Sequence, residues 1–99
     1  FYEMRSYICK PGTINDTQER WLTKYKERIS LSPMSGVFSV DIGTALKIVH
    51  LWPYQDLKER SSIRNKAADK GIWPPAGGGP DFFSQENKIL LPAPFSPMQ

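Results

Sequence analysis

The sequence predicts an α+β fold of the ferredoxin-like split βαβ type, a four-stranded antiparallel sheet with two helices on one face. Two observations carry this prediction. Strand patterning covers residues 1–9, 37–52 and 83–91, while helical periodicity covers 13–30 and 56–70. These stretches follow one another as strand, helix, strand, strand, helix, strand.

Residues 1–9, FYEMRSYIC, alternate. Tyr2, Met4, Ser6 and Ile8 point one way, and Phe1, Glu3, Arg5, Tyr7 and Cys9 the other. KPG at 10–12 breaks the strand. From 13 to 30 the period changes: Ile14, Trp21, Leu22, Tyr25 and Ile29 form an apolar stripe, and Asp16, Arg20, Lys24, Glu27 and Arg28 take the other faces. Asn15 or Thr13 suits the helix cap, and SPMSG at 32–36 ends the helix.

VFSVDIG and TALKIVHLW then read as two strands around a tight turn at Gly43-Thr44. On the first, Val37, Ser39 and Asp41 share a face; on the second, Leu46, Ile48, His50 and Trp52 do. Pro53 stops the second strand. Asp56 caps a second helix, with Glu59 completing a capping box and Gly71 ending it. Its stripe of Leu57, Ile63, Ala67 and Ala68 is thin, so it should cover the sheet rather than sit deep. WPPAGGGPDF at 73–82 is read as a connector. Its glycines lack the strand, helix and Gly-Lys-Ser/Thr ending of a phosphate loop. FSQENKILL is the last strand, and residues 92–99 form an extended proline-rich tail.

At 99 residues the chain is a single domain, residues 1–99, with one small core that a partner subunit would help to complete. The formal charge of +3 is spread over interleaved basic and acidic residues, without a run or motif for nucleic acid. One cysteine, Cys9, excludes an internal disulfide and a zinc site built on cysteines. One histidine, His50, leaves a metal or haem site without a ligand set, so no metal and no cofactor is expected. The apolar runs are too short for a transmembrane segment, and no signal peptide precedes Phe1.

The chain resembles a NIPSNAP domain, a member of the dimeric α+β barrel superfamily. The resemblance rests on FYEMRSYICKPGTIN, GVFSVDIG, KIVHLWPYQDLKERSSIR and SQENKILLPAPFSPM, which cover most of the chain in order. The departure is residues 72–80, where proline and glycine replace a more helical, charged segment. The resemblance implies a homodimer whose two sheets close into a barrel. It implies a mitochondrial setting in a eukaryote, with links to vesicle transport and mitochondrial quality control through other proteins, and a cytoplasmic setting in a bacterium. Other superfamily members are monooxygenases, haem-degrading enzymes and dehalogenases, so the fold does not decide the chemistry.

Strand parity groups the candidate site residues within each strand, but parity alone does not fix which set of the first or last strand joins His50 and Trp52. His50 and Trp52, with Ser39 and Asp41, are expected on the sheet face away from the helices, buried when a second subunit arrives. Arg5 and Tyr7 from the first strand and Glu86 from the last would complete a pocket or interface there. No catalytic residue is assigned. The leading expectation is a non-enzymatic homodimeric domain acting through protein association. The alternative is a small-ligand-binding protein or a monooxygenase-like barrel enzyme, with His50 as base, Arg5 as anion holder, and Trp52 and Tyr7 as walls. Arg60 and Arg64 read as a solvated helix face, and the tail as a strap for the partner subunit.

Overall fold

The computed structural model describes residues 1–75 and 82–99. The elements follow the expected order: β1 (Tyr2–Cys9), α1 (Ile14–Leu31), β2 (Gly36–Ser39), β3 (Lys47–Pro53), α2 (Leu57–Asp69) and β4 (Phe82–Leu90). The strands form one antiparallel sheet in the order β2-β3-β1-β4, so the fold is ferredoxin-like. Alternating side chains set the two faces. One face carries Glu3, Arg5 and Tyr7 of β1 opposite Trp52, His50 and Ile48 of β3. Both helices pack there, through Trp21 against Tyr7 and His50 and through Ile63 in one cluster with Trp52. The expectation for His50 and Trp52 is therefore overturned: their face is the covered one. Ile48, His50 and Trp52 are 0%, 1% and 2% exposed within one chain. The opposite face, with Tyr2, Met4, Ile8, Val49 and Leu51, is the open one.

The hairpin of β2 and β3 is centred on Gly43-Thr44, since Ser39 pairs with Ile48 and Gly36 with Leu51. The turn is not tight, however. β2 stops at Ser39, and residues 40–46 form a wide loop. Gly43 at φ +132° and Leu46 at φ +59° lie outside strand geometry, so the ladder cannot run to the tip. Leu46 is held there by its carbonyl, which accepts from Cys9 N at 2.8 Å.

α1 differs from its expected stripe. Its buried residues are Thr17, Trp21 and Arg28, while Leu22 is exposed. Thr13 occupies the cap position without capping; its hydroxyl donates to Lys10 O. α2 follows its signals. Asp56 Oδ1 accepts from Glu59 N at 2.7 Å, and Glu59 Oε2 accepts from Gln55 N at 2.6 Å. At the other end Ile72 N donates to Ala67 O and Gly71 N to Ala68 O, with Gly71 at φ +66°. This is the Schellman arrangement, in which a glycine takes the left-handed position.

β4 is an edge strand of nine residues, exposed over nearly its whole length. The tail beyond it is not simply extended: it turns at Ala93–Ser96, and Gln99 O accepts from the Tyr2 hydroxyl at 3.1 Å. Glycines 77–79, and most of the connector assigned to 73–82, lie outside the described residues. No helix among the described residues is long and apolar enough to cross a membrane.

Candidate functional site

The alternation of β1 and β3 aims a row of polar and aromatic side chains at the helices. α1 adds Trp21 and Arg28, seven residues and so two turns apart on one face. α2 adds Arg60 and Arg64, one turn apart. Between sheet and helices lies a cavity of about 600 Å³. Its walls include Tyr7, Trp21, Trp52, Tyr54, Trp73 and Phe82, with Glu3, Arg5, Arg28 and Arg64 as its charged groups.

Among the described residues Glu3 is the only carboxylate lining the cavity, and it is 1% exposed. Its Oε2 accepts from Arg60 Nε at 3.0 Å and Nη2 at 2.7 Å, a forked contact. Arg5 Nη1 reaches the same oxygen at 3.4 Å, and Arg64 Nη1 stands 3.8 Å from Oε1. Oε1 has no hydrogen-bond partner. Most of this carboxylate's bonding is thus directed to Arg60, and Arg5 and Arg64 share the remainder.

Arg28 is 2% exposed, yet its hydrogen-bond partners are neutral. Nη1 donates to Ser32 Oγ at 2.9 Å and Nη2 to the Tyr54 hydroxyl at 3.0 Å. The guanidinium carbon lies 4.1 Å from the Trp52 ring centroid, a cation–π contact. Nε has no acceptor. Burial lowers the Arg28 pKa, and hydrogen bonding to Tyr54 partly offsets this. Burial, then the charges of Arg5 and Arg60, lower that of Arg64.

His50 sits behind the cavity wall, between the rings of Tyr7, Trp21 and Trp52. Its Nδ1 accepts from Trp52 Nε1 at 2.7 Å, which assigns the proton of the neutral ring to Nε2. Nε2 has no hydrogen-bond partner. Burial pushes the His50 pKa down to about 3, helped by Arg5, Arg64 and Arg28. The folded value lies below the ordinary 6.5, so the unfolded chain binds the extra proton between those two values. Stability contributed by His50 is therefore complete above pH 6.5 and lost as pH falls toward 3. At pH 5 the loss is about 2 kcal/mol relative to neutral pH. Denaturant titrations at both pH values should show it, and the His50→Gln variant should show a flatter profile.

Of the residues selected from sequence, the fold gathers Arg5, Tyr7, His50 and Trp52. Ser39 shares their face through its pairing with Ile48, but it is exposed at the sheet edge. Asp41 lies exposed in the hairpin loop. Glu86 sits opposite Ser6 on the open face and pairs with Lys88 at 3.0 Å. The solvated reading of Arg28, Arg60 and Arg64 is corrected, because one is buried and the other two turn toward Glu3. For Arg28 the signal was its place on the Ile14 and Trp21 repeat. Arg60 and Arg64 had none, because their partner is 57 positions or more away. Among the described residues, no group of three or more His, Cys, Asp or Glu could hold a metal.

The NIPSNAP family profile matches residues 2–97. NipSnap homolog 2 of Mus musculus is 34% identical over 100 residues, which are 99% of this chain and 36% of that protein. The chain thus spans about a third of that relative's length. A NIPSNAP family protein from Agrobacterium tumefaciens superposes with a TM-score of 0.86 at 28% identity, covering 99% of this chain and 97% of that one. A Nitrosomonas europaea protein named for antibiotic biosynthesis monooxygenase superposes at 0.60 with 11% identity, covering 93% and 98%, a likeness of fold alone. The profile match over nearly the whole chain shows that this chain, with the ferredoxin-like sheet order and helix placement described above, belongs to the NIPSNAP family.

Proposed function

We propose that the chain is a non-enzymatic domain that works by association, pairing with a second copy through the open face of its sheet. The observation that carries this reading is the make-up of that face. Tyr2, Met4, Ile8, Val49 and Leu51 are only half-buried in one chain, and Phe38 is 60% exposed. No described element covers them. An apolar face of this extent favours a partner surface, and a second copy offers a complementary one by symmetry. Lys47, Glu86 and Lys88 supply polar groups on the same face. The tail, with Leu91 80% and Phe95 90% exposed, suits a strap across the partner subunit. Contacts with other proteins, in mitochondrial quality control or vesicle transport, belong to this reading for a eukaryotic source with a mitochondrial location. A bacterial source would place the chain in the cytoplasm.

The state of His50 favours this reading over a monooxygenase-like one. Its one acceptor nitrogen is engaged by Trp52, and the ring is not among the residues lining the cavity. A general base needs a free lone pair within reach of the substrate proton. Sedimentation equilibrium tests the association. The chain should sediment as a dimer, and Phe38→Glu, which substitutes an exposed side chain, should raise the dissociation constant by about a hundredfold or more. A wild-type monomer at all accessible concentrations would remove the proposal.

A further inference from the structure

The cavity between sheet and helices has a charge imbalance that the association does not use. Arg5, Arg28 and Arg64 line it, and among the described residues Glu3 is the only carboxylate that does. The forked contact from Arg60 already takes much of Glu3. Arg28 is the informative member. Its guanidinium is almost fully buried, holds only neutral hydrogen-bond partners and leaves Nε–H without an acceptor. Buried charges are ordinarily paired, because desolvating an unpaired one is costly. Arg64 points the same way, since its carboxylate contact at 3.8 Å is too long for a hydrogen bond. The low His50 pKa also reflects the positive field of Arg5, Arg64 and Arg28.

The remaining wall is aromatic. All three tryptophans of the chain, Trp21, Trp52 and Trp73, face the cavity. Its volume of about 600 Å³ lies in the range of small-molecule sites. Flat rings contact flat unsaturated bodies over a large area, and guanidinium groups match planar oxyanions with two parallel bonds.

We infer that this cavity is a binding site for a small organic anion with an aromatic or conjugated body and a carboxylate, the carboxylate seated among Arg28, Arg64 and Arg5. The ligand supplies the negative charge that Arg28 lacks. The free Oε1 of Glu3 leaves an acceptor for a hydroxyl on the same ligand. Binding is non-covalent and requires no proton transfer from the protein.

The test uses the full chain and a panel of benzoate, phthalate, salicylate and 2-naphthoate, each beside its neutral amide. Tryptophan fluorescence reports occupancy directly, because every tryptophan lines the site. At least one acid is expected to quench saturably and raise the melting temperature. Its amide should bind about tenfold more weakly or worse, and Arg64→Gln should weaken the acid by a similar factor. Arg64 is partly exposed, so this variant keeps the test decisive even if Arg28→Gln does not fold. Equal binding of acid and amide would overturn the inference, as would no binding across the panel or an unchanged affinity in R64Q. Inorganic phosphate binding as tightly as the aromatic acids would overturn the requirement for a flat body.

Discussion

The Glu3→Gln variant is expected to lose about 3 kcal/mol of folding stability, with a melting temperature lower by many degrees. Glutamine keeps the shape and one acceptor oxygen but removes the carboxylate that Arg5, Arg60 and Arg64 approach. The cost arises from what is left behind. Three guanidinium groups of one sign then face each other across β1 and α2, with their charge unopposed. Their partial exposure keeps the loss toward the low end for a broken buried pair. A double-mutant cycle with Arg60→Met separates this from simple packing. The coupling between Glu3 and Arg60 should be about 2 kcal/mol, with the double variant less damaged than the sum of the singles. Near-zero coupling in urea titrations would mean that the forked contact at 2.7 and 3.0 Å contributes nothing net.

Trp52→Ala should cost slightly more, about 4 kcal/mol. The ring is 2% exposed and contacts three different groups. It donates to His50 Nδ1, lies beneath the Arg28 guanidinium and meets the edge of Trp73 at 5.8 Å between centroids. Truncation opens a void and leaves two buried polar side chains without their covering ring. Trp52→Phe divides these effects. It restores much of the volume and a surface for Arg28 but cannot donate to His50. Its loss should therefore be smaller, about 1–2 kcal/mol, with most of the difference appearing in chemical denaturation midpoints. A Phe variant as unstable as the Ala variant would place the weight on the hydrogen bond rather than on packing.

These two residues also show where the sequence was readable. Element order and most boundaries were legible, because period changes and cap residues act locally. Asp56, Glu59 and Gly71 do at α2 what their spacing announces. The hairpin register was legible too, since its centre falls at Gly43-Thr44 even though β2 ends four residues earlier. The covered face was not. In β3 both faces are apolar, with Ile48 and Trp52 on one and Val49 and Leu51 on the other, so parity groups the residues without saying which group meets the helices. In α1, the sequence pattern sets Arg28 outside the apolar stripe. Ser32 lies one turn on at the end of the same helix, but Tyr54 is brought to Arg28 only by the tertiary fold. For the candidate site, parity pairs Arg5 with Tyr7 and His50 with Trp52, but the register that sets the two pairs side by side is a tertiary fact. The arginines that give the cavity its charge were not readable.

The edge strand β4 has a consequence for the nascent and crowded chain. Nine residues of exposed strand end next to a free row of backbone donors and acceptors, the geometry that recruits stray strands into aggregates. Its middle reads Ser84-Gln85-Glu86-Asn87-Lys88. An incoming strand would have to lie beside two opposite charges and two amides, and Pro92 stops the ladder from lengthening just beyond Leu90. The polar centre of β4, which adds little to the core, keeps this small sheet from polymerising along its edge.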